Sequence, residues 1–109
     1  MQYIKVARFD ELNDGEKRKI TPGGRVLLLT KIDGVCYAID NRCPHMGGSL
    51  YDGTLDGTTI ACPRHGAAFD VRTGKAVAGA KVAFIKTNVR DARAYPVKIE
   101  DGDVLVGLD

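Results

Sequence analysis

Histidine occurs only twice in this chain of 109 residues and cysteine three times. An odd number of cysteines fits a disulfide framework poorly. The longest unbroken aliphatic run, Val26–Leu29, is far short of the roughly 20 apolar residues that a membrane helix needs. The opening "MQYIKVARFDEL" lacks the long apolar stretch of a secretion signal. These absences predict a cytoplasmic protein with no membrane segment, in a compartment where thiols stay reduced. Neither sign of charge dominates: 16 Lys and Arg against 14 Asp and Glu leave a net charge of +2. No basic cluster interleaved with aromatics is present, so nothing points to nucleic acid. With 44% apolar and 28% charged residues the composition is that of a globular chain, and the length predicts one domain over 1–109.

Asp-Gly is abundant by contrast, at Asp14, Asp33, Asp52, Asp56 and Asp101. Tight hairpin turns favour this dipeptide because both central residues take positive φ. "RVLLLTKI" (25–32) and "VCYAID" (35–40) flank Asp33-Gly34 and predict a hairpin. "YPVKIE" (95–100) and "DVLVGL" (103–108) predict another around Asp101-Gly102, and "AFDV" and "KAVA" a third around residues 72–74. "TPGG" (21–24) reads as a turn and "TTIAC" (58–62) as a short strand. Residues 80–94 are compatible with a helical turn or a further strand. The architecture implied is all-β, a sandwich or partly open barrel.

Both histidines sit beside cysteines: Cys43-x-His45, sixteen residues, then Cys62-x-x-His65. Pro44 and Pro63 keep both pairs out of helix and ladder, hence in loops. Thiolate and neutral imidazole are metal ligands, and two from each loop make four. Three readings stand side by side. A structural zinc site would use these donors at unusual spacings. Two unconnected Cys/His pairs would be ordinary core or surface residues. A 2Fe-2S cluster with two imidazoles replacing two thiolates on one iron needs this mixed set. Cys36 lies in an apolar strand and reads as a buried, inert thiol.

The pattern, with glycines after both histidines, resembles the Rieske iron–sulfur family. The likeness extends to "DGVCYAIDNRCPH", "VRTGK" and "YPVKIEDG", and so covers most of the chain. The resemblance implies a fold of stacked antiparallel sheets with a small cluster-binding subdomain of two ligand loops, here about 41–70. It implies that Cys43 and Cys62 hold the inner iron of one 2Fe-2S cluster, and His45 and His65 the outer one. Around them, Gly47, Gly48 and Gly66 would let the backbone approach the cluster. Met46, Pro44 and Pro63 would supply apolar cover, and Arg64 and Arg42 would border the ligand loops as a cationic rim. Two ferric ions, two sulfides and two thiolates sum to zero charge, whereas four thiolates would leave minus two, so histidine ligation raises the potential.

Relatives in cytochrome bc complexes bridge their ligand loops by a disulfide. Gly48 and Arg64 occupy those positions here, so that bridge is absent. Ala67 and Phe69 stand where high-potential relatives place Ser and Tyr, which implies a low-potential cluster. With both histidines committed, none remains for the mononuclear iron of a terminal oxygenase, so the chain is expected not to be an enzyme by itself. By resemblance it is a monomeric electron carrier between an NAD(P)H-dependent flavoprotein reductase and a terminal oxygenase. A small Rieske-like subunit of a larger oxidoreductase such as nitrite reductase, and a zinc-stabilised interaction module, are the alternatives.

Overall fold

The computed structural model describes residues 1–44, 47–63, 66–78, 80–82, 85–87 and 89–109. The first half carries β1 (Gln2–Arg8), β2 (Lys17–Ile20), β3 (Leu27–Ile32), β4 (Val35–Asp40), β5 (Thr54–Asp56) and β6 (Thr59–Ala61). The second half carries β7 (Ala68–Asp70), β8 (Ala76–Ala78), β9 (Ala80–Val82), β10 (Ile85–Thr87), β11 (Ala94–Tyr95), β12 (Val97–Glu100) and β13 (Asp103–Leu108). Short 3₁₀ turns at Phe9–Glu11, Pro22–Gly24 and Leu50–Asp52 are the only helical elements among the described residues. The strands form antiparallel sheets of order β1-β13-β12, β11-β4-β3-β2 and β5-β6-β7-β8, with β9-β10 as a separate ribbon. The all-β expectation is met, and residues 80–94 contribute strands.

The four-stranded sheet holding β3 and β4 is central, because both its faces are covered. Successive side chains of a strand point to opposite faces. Leu27 and Leu29 enter one core with Cys36, Ala38, Val104 and Val106. Leu28 and Ile39 enter a second core with Ile60, Phe69, Val71 and the cysteines Cys43 and Cys62. The unbroken "LLL" is thus the signature of a strand buried on both sides.

Two of the five Asp-Gly pairs turn hairpins as expected. Ile32 pairs with Val35 across Asp33 (φ 51°) and Gly34 (φ 80°), and Glu100 with Asp103 across Asp101 (φ 53°) and Gly102 (φ 80°). Asp56, by contrast, is the last residue of β5, and the β5–β6 turn consists of residues 57–58. Asp52-Gly53 has a different use. A side chain at Gly53 would place Cβ 1.9 Å from the Ala61 carbonyl oxygen, so the 50s turn packs directly on the backbone entering the second Cys/His loop. The expected strand 95–100 is also divided. Tyr95 pairs with Ala38 in the central sheet, and Pro96, which has no N–H to give, separates it from β12 in the outer sheet.

Gly53→Ala is expected to destabilise the fold by about 3 kcal/mol or more, because backbone must move to relieve the overlap. Gly57→Ala, at φ 61° with open space around it, should cost only about 1–2 kcal/mol. Urea denaturation of the two variants checks the contrast. A second expectation concerns acid. Arg8 Nη1 donates to Asp103 Oδ1 at 2.9 Å, with Lys5 Nζ at 3.3 Å, tying β1 to β13. The Arg8 hydrogen bond holds the Asp103 carboxyl below the usual range. A depressed carboxyl stabilises the folded state above its unfolded pKa of about 4, and that contribution is lost as pH falls through the folded value. Wild type should therefore exceed Asp103→Asn in Tm at pH 7, and the gap should close as the pH is lowered below about 4.

Candidate metal centre

The two cysteine loops are built alike. Each is the connection between antiparallel partners: Arg42 bridges Ser49 around residues 43–48, and Ala61 pairs with Ala68 around residues 62–67. The Cys43 amide donates to the Gly48 carbonyl at 2.7 Å, and the Cys62 amide to the Ala67 carbonyl at 2.6 Å. Both bonds reach five residues forward. Pro44 and Pro63 follow each cysteine, and Gly47 (φ 73°) and Gly66 (φ 77°) occupy matching positions in the left-handed region. The repeated "CP" and the trailing glycine are thus one loop design used twice, with the histidine placed one residue later in the second copy.

The first loop has an extra clamp at its base. Asn41, buried, donates from Nδ2 to Ser49 Oγ at 2.9 Å and accepts at Oδ1 from the Tyr51 amide at 2.9 Å. Its carbonyl accepts from the Leu50 amide at 2.8 Å. Nothing in the sequence singled out Asn41, because its partners lie eight to ten residues ahead. The second loop needs no such clamp, since β6 and β7 already hold its ends.

Cys43 and Cys62 are 1% and 5% exposed, in one apolar cluster, and no disulfide joins any of the cysteines. Ala67 and Phe69 beside them are fully buried and carry no hydroxyl. Two reduced thiols delivered from opposite loops into a dry, apolar setting suit an iron that takes two thiolates. Cys36 stands apart in the other core, and burial pushes its thiol pKa up, as for an inert structural cysteine. His45, Met46, Arg64 and His65 lie outside the described residues. Among the described residues no three His, Cys, Asp or Glu side chains form a metal-holding group.

A cleft of about 550 Å³ opens beside the first loop. Arg42, Pro44 and Gly47 of the first loop line it together with Arg90, Asp91 and Arg93. The Arg42 guanidinium lies over Gly47, where an added Cβ would meet Nε and Nη2 at 3.2 Å. Residues 91–93 of that lining are stitched down: the Ala92 amide donates to Gly74 O, the Ala76 amide to Asp91 Oδ1, and the Asp40 amide to Arg93 O.

The family model described as Rieske [2Fe-2S] domain matches residues 2–91. The ferredoxin component of the naphthalene 1,2-dioxygenase system of Pseudomonas putida is 36% identical, over 99% of this chain and 97% of its own. The solved ferredoxin of carbazole 1,9a-dioxygenase from Nocardioides aromaticivorans superposes with a TM-score of 0.86 at 29% identity, covering all of both chains. A structure described as a complex of reduced oxygenase and oxidized ferredoxin in carbazole 1,9a-dioxygenase matches 95% of this chain and 100% of its own, with a TM-score of 0.79 at 30% identity. Paired thiols on twin loops, packed in one core with strands of two antiparallel sheets, find their explanation in that match: the chain belongs to the Rieske [2Fe-2S] domain family.

Proposed function

We propose that the chain is a one-electron carrier of a multicomponent oxygenase system, taking electrons from an NAD(P)H-dependent flavoprotein reductase and delivering them to a terminal oxygenase. The observation that carries this reading is the convergence of Cys43 and Cys62, from identically closed loops, in one dry cluster. Support comes from relatives of matching length that are themselves ferredoxin components, and from the similarity to a ferredoxin seen in complex with its oxygenase. Family membership supplies the cofactor, one Rieske-type 2Fe-2S cluster, which when bound stores a single electron reversibly. Cys43 and Cys62 would hold one iron and His45 and His65 the other.

The rest of the chain positions and insulates. The loop-closing bonds fix both thiols, and Leu28, Ile39, Leu50, Ile60 and Phe69 exclude water from them. Gly47, Gly48, Gly66, Met46, Pro63 and Arg64 would cover the group without enclosing the histidine edges. Among the described residues no helix is long and apolar enough to cross a membrane. A cytoplasmic, monomeric carrier confined to one domain over 1–109 is the corresponding proposal.

Replacing His45 or His65 with Ala is expected to abolish the visible colour and the EPR signal of the reduced protein. Retention of both in either variant would remove the histidines from the ligand set. The apolar pair Ala67 and Phe69 sets the expected potential. Each hydroxyl hydrogen bond to a charged acceptor contributes about 1.5–3 kcal/mol, or roughly 65–130 mV for one electron. Wild type should titrate at the low end of the family range of about −150 to +300 mV, and Ala67→Ser with Phe69→Tyr should raise the midpoint by about 130–260 mV. Protein-film voltammetry reads both.

A further inference from the structure

The cleft beside the first loop carries an unbalanced set of charges. Three arginines and two carboxylates line it, and each carboxylate accepts one hydrogen bond within the fold: Asp40 Oδ1 from the Tyr95 hydroxyl at 2.7 Å, and Asp91 Oδ1 from the Ala76 amide at 2.8 Å. Tyr95 in turn accepts from Arg25 Nη1 at 3.0 Å, which brings a compensating charge to Asp40. Arg93 pairs with Asp109 and lies 4.9 Å from the centre of the Tyr95 ring. Arg42 and Arg90 are exposed, and neither forms an ion pair among the described residues.

Both arginines line the same cleft, whose lining is fixed on the fold. Arg42 is seated over Gly47, and Arg90 precedes the stitched residues Asp91, Ala92 and Arg93. Planar guanidiniums held this way match a carboxylate, which each engages by charge-assisted hydrogen bonds. The first loop contributes Pro44 and Gly47, the residues that flank 45 and 46 in the chain, to the lining.

We infer that this cleft is the docking point for an acidic segment of the redox partner protein, with Arg42 and Arg90 receiving an Asp or Glu side chain beside the first cysteine loop. The inference rests on the electron-carrier reading and adds the partner's chemistry: its contact surface carries carboxylates where it meets this loop. Arg93, already paired with Asp109, frames the cleft. The cationic edge expected from Arg42 and Arg64 is thereby relocated to Arg42 and Arg90, which are far apart in sequence. Contacts of this kind steer encounter more than they add affinity, and they fade with salt.

The experiment uses the intact holoprotein and two probes. A fluorescein-labelled hexaglutamate peptide is titrated at about 20 mM ionic strength by anisotropy, with a hexalysine peptide as control. Arg42→Gln and Arg90→Gln should each weaken hexaglutamate binding about two- to five-fold, and the double variant about ten-fold. Lys98→Gln, the same charge change on the outer sheet, should leave it within about two-fold, and about 0.5 M salt should abolish it. In parallel, dithionite-reduced protein is oxidised by anionic ferricyanide or cationic hexaammineruthenium(III). The double variant should react several-fold more slowly with ferricyanide and no more slowly with the ruthenium complex. Undiminished peptide binding by the double variant, an equal loss in Lys98→Gln, comparable hexalysine binding, or an unchanged ferricyanide rate would each overturn the inference. A protein without dithionite-bleachable absorbance would instead refute the carrier reading, and the peptide titration reads independently of it.

Discussion

The amides of Cys43 and Cys62 each donate to a carbonyl five residues ahead, at Gly48 and Ala67, and the functional end of the molecule depends on those two bonds. A loop that must present a thiol inward has few ways to satisfy its own backbone, because it belongs to no sheet. Closing the loop on itself uses the amide nearest the thiol and fixes the direction of that side chain. Proline immediately after each cysteine removes one more donor that would otherwise need a partner. Glycine at the last position but one of each loop takes the left-handed conformation through which the chain turns back. The two loops reach the same closure on different supports, one on a β-hairpin stem and the other on the Asn41 clamp.

That arrangement works only on a rigid base, which the central sheet provides. β3 buries Leu27 and Leu29 on one side and Leu28 on the other, so the sheet is fixed by two cores at once. The core that holds Cys43 and Cys62 is shared with Leu28 and Ile39 of that sheet and with Ile60 and Phe69 of the hairpin. Any shift of one ligand loop against the other would open apolar contacts in this core, at about 25 cal/mol per Å² exposed. A site that gains and loses an electron without changing its ligands is well served by such a base. The separation of Cys36 into the opposite core follows from the same geometry, since Cys36 and Ala38 share the face of β4 that points away from Ile39.

Much of this was legible in the sequence because it is local. The hairpins at Asp33-Gly34 and Asp101-Gly102 follow from two residues each, and the likeness of the two cysteine loops from the repeated Cys-Pro and its trailing glycine. Asp14-Gly15 is also a turn, closed by the Glu16 amide on the Asn13 carbonyl, whereas Gly53 is required by the nearness of Ala61, which no local pattern reveals. The division of 95–100 between two sheets at Pro96 depended on which sheet each half would meet. Residues 89–93 were illegible for a stronger reason. Their path is set by bonds to Gly74, to the Ala76 amide and to Asp40, all distant in sequence. The Arg42–Arg90 cleft therefore existed only once the chain was folded.

The position of that cleft also bears on how a small carrier distinguishes its partners. A net charge of +2 spread over 109 residues gives little long-range steering, so discrimination has to come from local placement. Lys5, Arg8, Arg18, Arg72, Arg93 and Lys98 are all paired with carboxylates, which removes much of their pull on an approaching protein. Arg42 and Arg90 are outside those pairs, and both line the cleft beside the first loop. A carboxylate drawn to them lands against Pro44 and Gly47, so the attraction that captures a partner also orients it toward the buried thiols. Pairing those six cations with carboxylates reduces the competition that Arg42 and Arg90 meet for a partner's acidic group.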